Sequence, residues 1–149
     1  MPVFHSFLMV REDLARYTDG LITEDVWRRT GSLPPLGFHL HHIAHSVDRL
    51  VTYLCGEQLN EQQIAILKRE TEPGNATLAE LLAEVNAKLS EAESRIRTIT
   101  PEMLNQPRYI GKKRLPSTVL GLLVHVAEHT QRHLGQAITT AKLSRDTRG

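Results

Sequence analysis

The sequence predicts an all-α fold, a four-helix bundle with long crossover connections. Three observations carry this: four long segments place apolar residues at helical spacing, clear breakers separate them, and no stretch has a persuasive strand pattern. The 149 residues suit one domain, 1–149, with enough chain to bury a sizeable core. No internal repeat or low-complexity tract interrupts it.

Phe4, Phe7, Leu8, Leu14 and Ala15 predict a first helix from about Phe4 to Thr18, stopped at Asp19-Gly20. Thr23 caps a short turn through Glu24, Asp25 and Val26, with Trp27 as its apolar anchor. Pro34 and Pro35 suit a helix entrance, where a missing N–H costs no hydrogen bond. Behind them Leu36, Leu40, Ile43, Val47, Leu50 and Leu54 form the core stripe of a helix about 30 Å long, ended by Gly56. Asn60 caps a short helix carrying Ile64 and Leu67, and Glu72-Pro73-Gly74-Asn75 is a loop.

Thr77 and Glu80 form a capping box for the next helix, whose Leu78, Leu82, Val85, Leu89, Ala92, Ile96 and Ile99 face the core. Lys88 with Glu84, and Arg95 with Glu91, should pair along its wet faces. Pro101 stops it. Pro107, Gly111 and Pro116 then predict an irregular connection. Ser117 or Thr118 caps the last helix, expected to reach about Leu143, with the tail 144–149 frayed. Connections of roughly 20 and 17 residues permit crossovers instead of a simple up-down order.

The net charge of +1 offers no basic surface for nucleic acid, and Lys112, Lys113 and Arg114 are too small a footprint for one. A single cysteine, Cys55, excludes an intrachain disulfide and a cysteine-only metal site, and fits a reducing compartment. The opening MPVFHSFLMVRED lacks a basic leader, and no run of 18 apolar residues exists. The expectation is a cytoplasmic protein with neither a membrane nor a nucleic-acid partner.

Seven of the eight histidines fall in two segments: His39, His41, His42 and His45 on the second long helix, and His125, His129 and His133 on the last. Histidines four apart stack along one helical face. On the last helix Val119, Leu123, Val126 and Leu134 mark the core centre. His129 and His133 lie on its flank and His125 further out. On the second, His39 and His42 share one flank with Ser46, while His41 and His45 form a separate pair pointing mainly outward. Two imidazoles from one helix and one from a facing helix can surround a divalent metal and leave positions open for water or substrate. Zinc and nickel suit an all-imidazole set. Gln136, one turn past His133, is placed to tune that site. A metal-free cluster of hydrogen-bonded core histidines is the alternative. Periodicity leaves both His39 and His42 open as the second-helix ligand, with His39 nearer the core.

The run His129-Thr-Gln-Arg-His133-Leu-Gly135-Gln136 resembles the C-terminal metal motif of the DinB-like superfamily, in which two histidines four apart precede a Gly-Gln pair. The family commonly has arginine after the second histidine; here Leu134 stands there. The segment LGFHLHHIAHSVDRLVTYLCGEQL resembles the family's second helix, whose histidine matches His42. The resemblance spans nearly the whole chain in helix order and loop length. It implies a metal site of His42, His129 and His133 in a crossover bundle, often homodimeric. Some members transfer low-molecular-weight thiols such as mycothiol or bacillithiol, one is a maleylpyruvate isomerase, and many have no assigned reaction.

The resulting expectation is a divalent-metal-dependent enzyme on a small-molecule substrate, a thiol transferase or a hydrolase, with S-transfer from a low-molecular-weight thiol as the leading reaction. Gln136, His39 and His125 are its candidate catalytic groups. Lys112, Lys113 and Arg114 are candidates to bind a carboxylate-bearing thiol. The competing expectation is a non-enzymatic metal-binding or dimerising bundle.

Overall fold

The computed structural model describes residues 1–147. The chain runs through α1 (Pro2–Thr18), α2 (Thr23–Trp27), α3 (Leu36–Leu54), α4 (Glu61–Arg69) and α5 (Leu78–Ile96), then a strand pair, β1 (Pro107–Ile110) and β2 (Leu115–Thr118), and α6 (Val119–Asp146). Thr23 does not cap α2: it lies inside the helix, and Asp25 instead accepts from Ile22 N at 2.9 Å. The caps expected at Asn60 and Thr77 form. Asn60 accepts from Gln63 N at 2.8 Å, and Thr77 accepts from Glu80 N at 3.2 Å while Glu80 accepts from Thr77 N at 2.8 Å. Thr118, not Ser117, caps α6 by accepting from Gly121 N at 3.0 Å.

Helices α1, α3, α5 and α6 are the four sides of the bundle. α3 packs against α5 and α6, and α1 packs against α6 and α5. Consecutive long helices α1 and α3 therefore sit across a diagonal, as do α5 and α6, and the connections between them cross the bundle. All six residues of the α3 stripe are buried, as are Val119, Leu123, Val126 and Leu134 of α6. Each such side chain contributes about 1.5–3 kcal/mol of hydrophobic stabilisation. Among the described residues no helix is long and apolar enough to cross a membrane.

α3 is covered by α5, α6 and α4, so its polar residues His39, His45, Ser46, Arg49 and Thr52 are buried with the apolar ones. That enclosure is what positions the candidate site.

Four further expectations need correction. The connection after Pro101 contains an antiparallel hairpin in which Arg108 pairs with Ser117 and Tyr109 with Pro116. Its prolines are tolerated because both strands are edges, and Gly111 and Arg114 turn the chain with positive φ angles of 69° and 49°. Arg108 Nε also donates to Leu54 O at 2.7 Å, satisfying a carbonyl at the end of α3. On α5 the core face is centred on Leu81 and Val85, with Leu78 and Leu82 half-buried at its edges.

The two charge pairs predicted within α5 do not form; Lys88 pairs with Glu91 of the same helix, and the other contacts reach neighbouring elements. Lys88 lies 3.5 Å from Asp48 and 2.9 Å from Glu91, Arg95 lies 2.7 Å from Glu57, and Glu84 turns to α3. Facing elements offered these groups partners that a helix considered alone does not show. Finally, α6 continues through Asp146 because Ser144 is buried, so 144–146 are helical and not frayed; residues 148–149 lie outside the described part.

Trp27 is held between two glycines. Its Nε1 donates to Ala76 O at 2.8 Å, and a Cβ on Gly37 or Gly74 would come within 2.7 or 2.3 Å of the ring. A Gly37→Ala substitution forces the pinned indole to move. Overpacking of this kind costs about 1–3 kcal/mol, and Tm should fall by roughly 3–10 °C, with a shift in the fluorescence of the one tryptophan. An unchanged Tm would show that the ring is not clamped.

Candidate metal centre

The helical spacing of His129 and His133 on α6 brings both imidazoles to the face that meets α3, and His42 projects from α3 between them. Ring centroids lie 4.1 Å apart for His42 and His133, 5.2 Å for His42 and His129, and 4.7 Å for His129 and His133. One ligand nitrogen from each lies within 4.8 Å of the other two. Bonds of 2.0–2.1 Å to a tetrahedral ion put such nitrogens about 3.4 Å apart. Closing around one ion therefore moves them by at most about 1.4 Å per edge.

The three rings carry nitrogens whose state suits a cation. Nδ1 of His129, Nδ1 of His133 and Nε2 of His42 are buried without a hydrogen-bond partner among the described residues. Burial, followed by the electrostatic influence of His42, lowers both His129 and His133 to about 4. They are neutral near pH 7, with lone pairs free for coordination. His39 is also lowered to about 4 by burial and by His42.

Behind His42 sits a pair of charges that the sequence did not reveal. Glu70 Oε1 lies 3.1 Å from His42 Nδ1, close enough to pair by charge though out of line for a hydrogen bond, and it accepts from Arg49 at 3.0 Å. Both Glu70 and Arg49 are buried. Burial alone would raise the Glu70 carboxyl, but His42 and Arg49 hold it below the ordinary range. A carboxylate there can orient the imidazole and strengthen it as a ligand. Arg49 was legible in principle, seven residues after His42 on the same face. Glu70 follows α4, and only the tertiary fold brings it to α3.

His42 and His129 open onto a cleft of about 190 Å³ between α3, α4 and α6, and His133 lies behind them. Leu50, Tyr53, Leu59 and Leu67 form its apolar wall, and Arg49, His125 and Ser46 are polar points on it. Nη1 of Arg49 is buried and has no hydrogen-bond partner among the described residues.

The other predicted site residues divide. His125 lines the cleft, half-exposed, 2.9 Å from Glu128. His39 is buried against Phe38, 5.8 Å from the His133 ring centroid, and is not in the three-histidine group. Gln136 is exposed and is not a cleft residue. Lys112, Lys113 and Arg114 occupy the exposed hairpin turn, where Arg114 lies over Tyr109, and none of them lines the cleft. The hairpin, read from sequence as a loop, is what carries them there.

The His41 and His45 pair is not simply outward-facing. His45 is buried, and both rings meet Glu84 of α5, His41 Nδ1 at 3.1 Å and His45 Nε2 at 2.8 Å.

Because the folded chain keeps His39, His129 and His133 near 4, the unfolded chain binds protons first as pH falls below about 6.5. Metal-free protein should lose stability steadily between pH 6.5 and 4.5, above the range in which Glu70 and Glu84 protonate. Thermal melts across that window should show a falling Tm, with a shallower slope for the His129→Ala/His133→Ala double variant. Equal slopes would mean that these imidazoles are not held neutral.

The comparisons agree with this architecture. The model of the DinB superfamily matches residues 6–137. A crystal structure of a Streptococcus pneumoniae protein superposes with a TM-score of 0.68 at 15% identity, covering 97% of this chain and 88% of its own. YfiT from Bacillus subtilis, a probable metal-dependent hydrolase with an unusual four-helix bundle topology, superposes with a TM-score of 0.68 at 18% identity, covering 98% and 86%. No curated protein sequence matches. With its crossover four-helix bundle and a family match over most of its length, this chain belongs to the DinB superfamily.

Proposed function

We propose that this protein is a divalent-metal-dependent enzyme acting on a small substrate, that His42, His129 and His133 hold zinc or nickel, and that the reaction is transfer of a low-molecular-weight thiol. The observation that carries the reading is the set of three imidazoles, two of them held neutral, of which His42 and His129 line a small cleft. An all-imidazole set suits zinc or nickel better than iron or manganese. Bound there, a divalent ion supplies Lewis acidity that makes an adjacent thiol or water more acidic.

The residues around it have separable tasks. Glu70 orients His42 from behind, and Arg49 keeps Glu70 ionised. Arg49, which lines the cleft, offers its guanidinium to an anionic oxygen of the substrate or thiol, such as a carboxylate. The family's common arginine after the second histidine is replaced by buried Leu134, so Arg49 brings a positive charge from α3 instead. The leucine-lined wall takes the apolar part of a substrate, and its small volume excludes large ones. The thiol proton passes to His125, whose half-exposed ring can release it to water. The thiolate sulfur then forms a bond to an electrophilic carbon, whose leaving group departs with its electron pair. Gln136 and the hairpin cations have no part in this scheme.

A homodimer is part of the same reading, supported by the exposed apolar side chains Met1, Leu120 and Val124 beside one apolar groove. A cytoplasmic setting suits the free thiol of Cys55.

Untagged, zinc- or nickel-loaded protein should turn over low-molecular-weight thiols with activated carbon electrophiles and sediment as a dimer. His129→Ala/His133→Ala should abolish turnover. Arg49→Lys should raise KM for carboxylate-bearing thiols roughly 10-fold, the loss of one charged hydrogen bond, while changing kcat little. Metal-loaded protein inactive with every thiol and electrophile would leave the non-enzymatic metal-binding bundle.

A further inference from the structure

The second histidine pair has a geometry the proposed reaction does not use. His41 and His45 are one turn apart on α3, and Glu84 faces them from α5. One ligand atom from each lies within 4.8 Å of the other two. The imidazoles approach different oxygens of one carboxylate, at 3.1 and 2.8 Å. These separations are close to the roughly 3.4 Å edge of a tetrahedral site with 2.0–2.1 Å bonds. Imidazoles and carboxylates projecting inward from facing helices are the groups from which bundles build divalent-ion sites.

The surroundings leave room for further ligands. His41 and Glu84 are half-buried and line a cavity of about 390 Å³ between α3, α5 and the loop after α4. Glu80 and Glu72 also line it, and although Arg69 pairs with Glu72 there, carboxylates outnumber cations on its walls. Glu70, the carboxylate beside His42, lies on the same wall, so the cavity reaches the back of the three-histidine group.

We propose that His41, His45 and Glu84 form a second divalent-cation site, distinct from the His42–His129–His133 centre, with coordination positions open to the adjacent cavity. Zinc, with its affinity for imidazole and carboxylate together, is the probe of choice.

The test is zinc stoichiometry on untagged, chelator-stripped protein, by calorimetric titration and by elemental analysis after desalting. Wild type should take two equivalents. Glu84→Gln and His41→Ala should each take one, as should His129→Ala/His133→Ala, and the combination of Glu84→Gln with the double variant none. His41 is half-exposed, so its variant keeps the test valid where Glu84→Gln disturbs packing. A single wild-type equivalent, unchanged in Glu84→Gln and His41→Ala but lost in His129→Ala/His133→Ala, overturns the second site and leaves the first. A single equivalent lost in the first two variants and retained in the last supports the second site and overturns the first. Two equivalents that persist in Glu84→Gln and His41→Ala, or no zinc bound at all, overturn it.

Discussion

The structure depends on the enclosure of α3. A helix covered by α5, α6 and α4 has little solvent-facing surface, so its polar side chains must find partners inside the protein or go without. Arg49 finds Glu70, His45 finds Glu84, and Thr52 donates to Asp48 O and accepts from Gln63. Nε2 of His42 and Nδ1 of both His129 and His133 find none among the described residues. Buried donors or acceptors left unmatched cost about 1–3 kcal/mol each. A fold that keeps several on three neighbouring rings has given up stability there, and coordination of a cation is a chemical use for lone pairs in such a cluster.

The same enclosure sets the electrostatics. Burial keeps His129 and His133 neutral, which suits ligands, while Glu70 and Glu84 stay ionised because each has basic partners at hydrogen-bond or ion-pair distance. Desolvation therefore acts in opposite directions on two kinds of group within a few residues of α3. It releases lone pairs on one face, and on the other it is overcome by direct pairing. The result is a helix whose neighbouring residues His41 and His42 serve two different clusters, because successive positions are turned about 100° around its axis.

Much of this was legible in the chain. The stripe from Leu36 to Leu54 located α3 because its spacing admits no strand, and the caps at Asn60 and Thr77 located α4 and α5. The i,i+4 spacing of His129 and His133 located one side of the centre. Periodicity could not choose between His39 and His42, since both lie on the flank that meets α6; the family resemblance chose His42, which the fold brings into the group. What was missed is tertiary. Glu70 reaches His42 only after α4 folds back, and Glu84 was assigned to Lys88 because a single helix does not show that α3 lies opposite. The hairpin was hidden by Pro107 and Pro116, which forbid central strands but not a pair made only of edges.

The most direct test of the central claim is zinc K-edge X-ray absorption on untagged protein loaded with one equivalent of zinc. Three imidazole nitrogens at about 2.0–2.1 Å, with multiple scattering from their rings, and loss of that pattern in His129→Ala/His133→Ala, are predicted. An oxygen-dominated shell, or a spectrum unchanged by the double substitution, would contradict a metal centre at His42, His129 and His133.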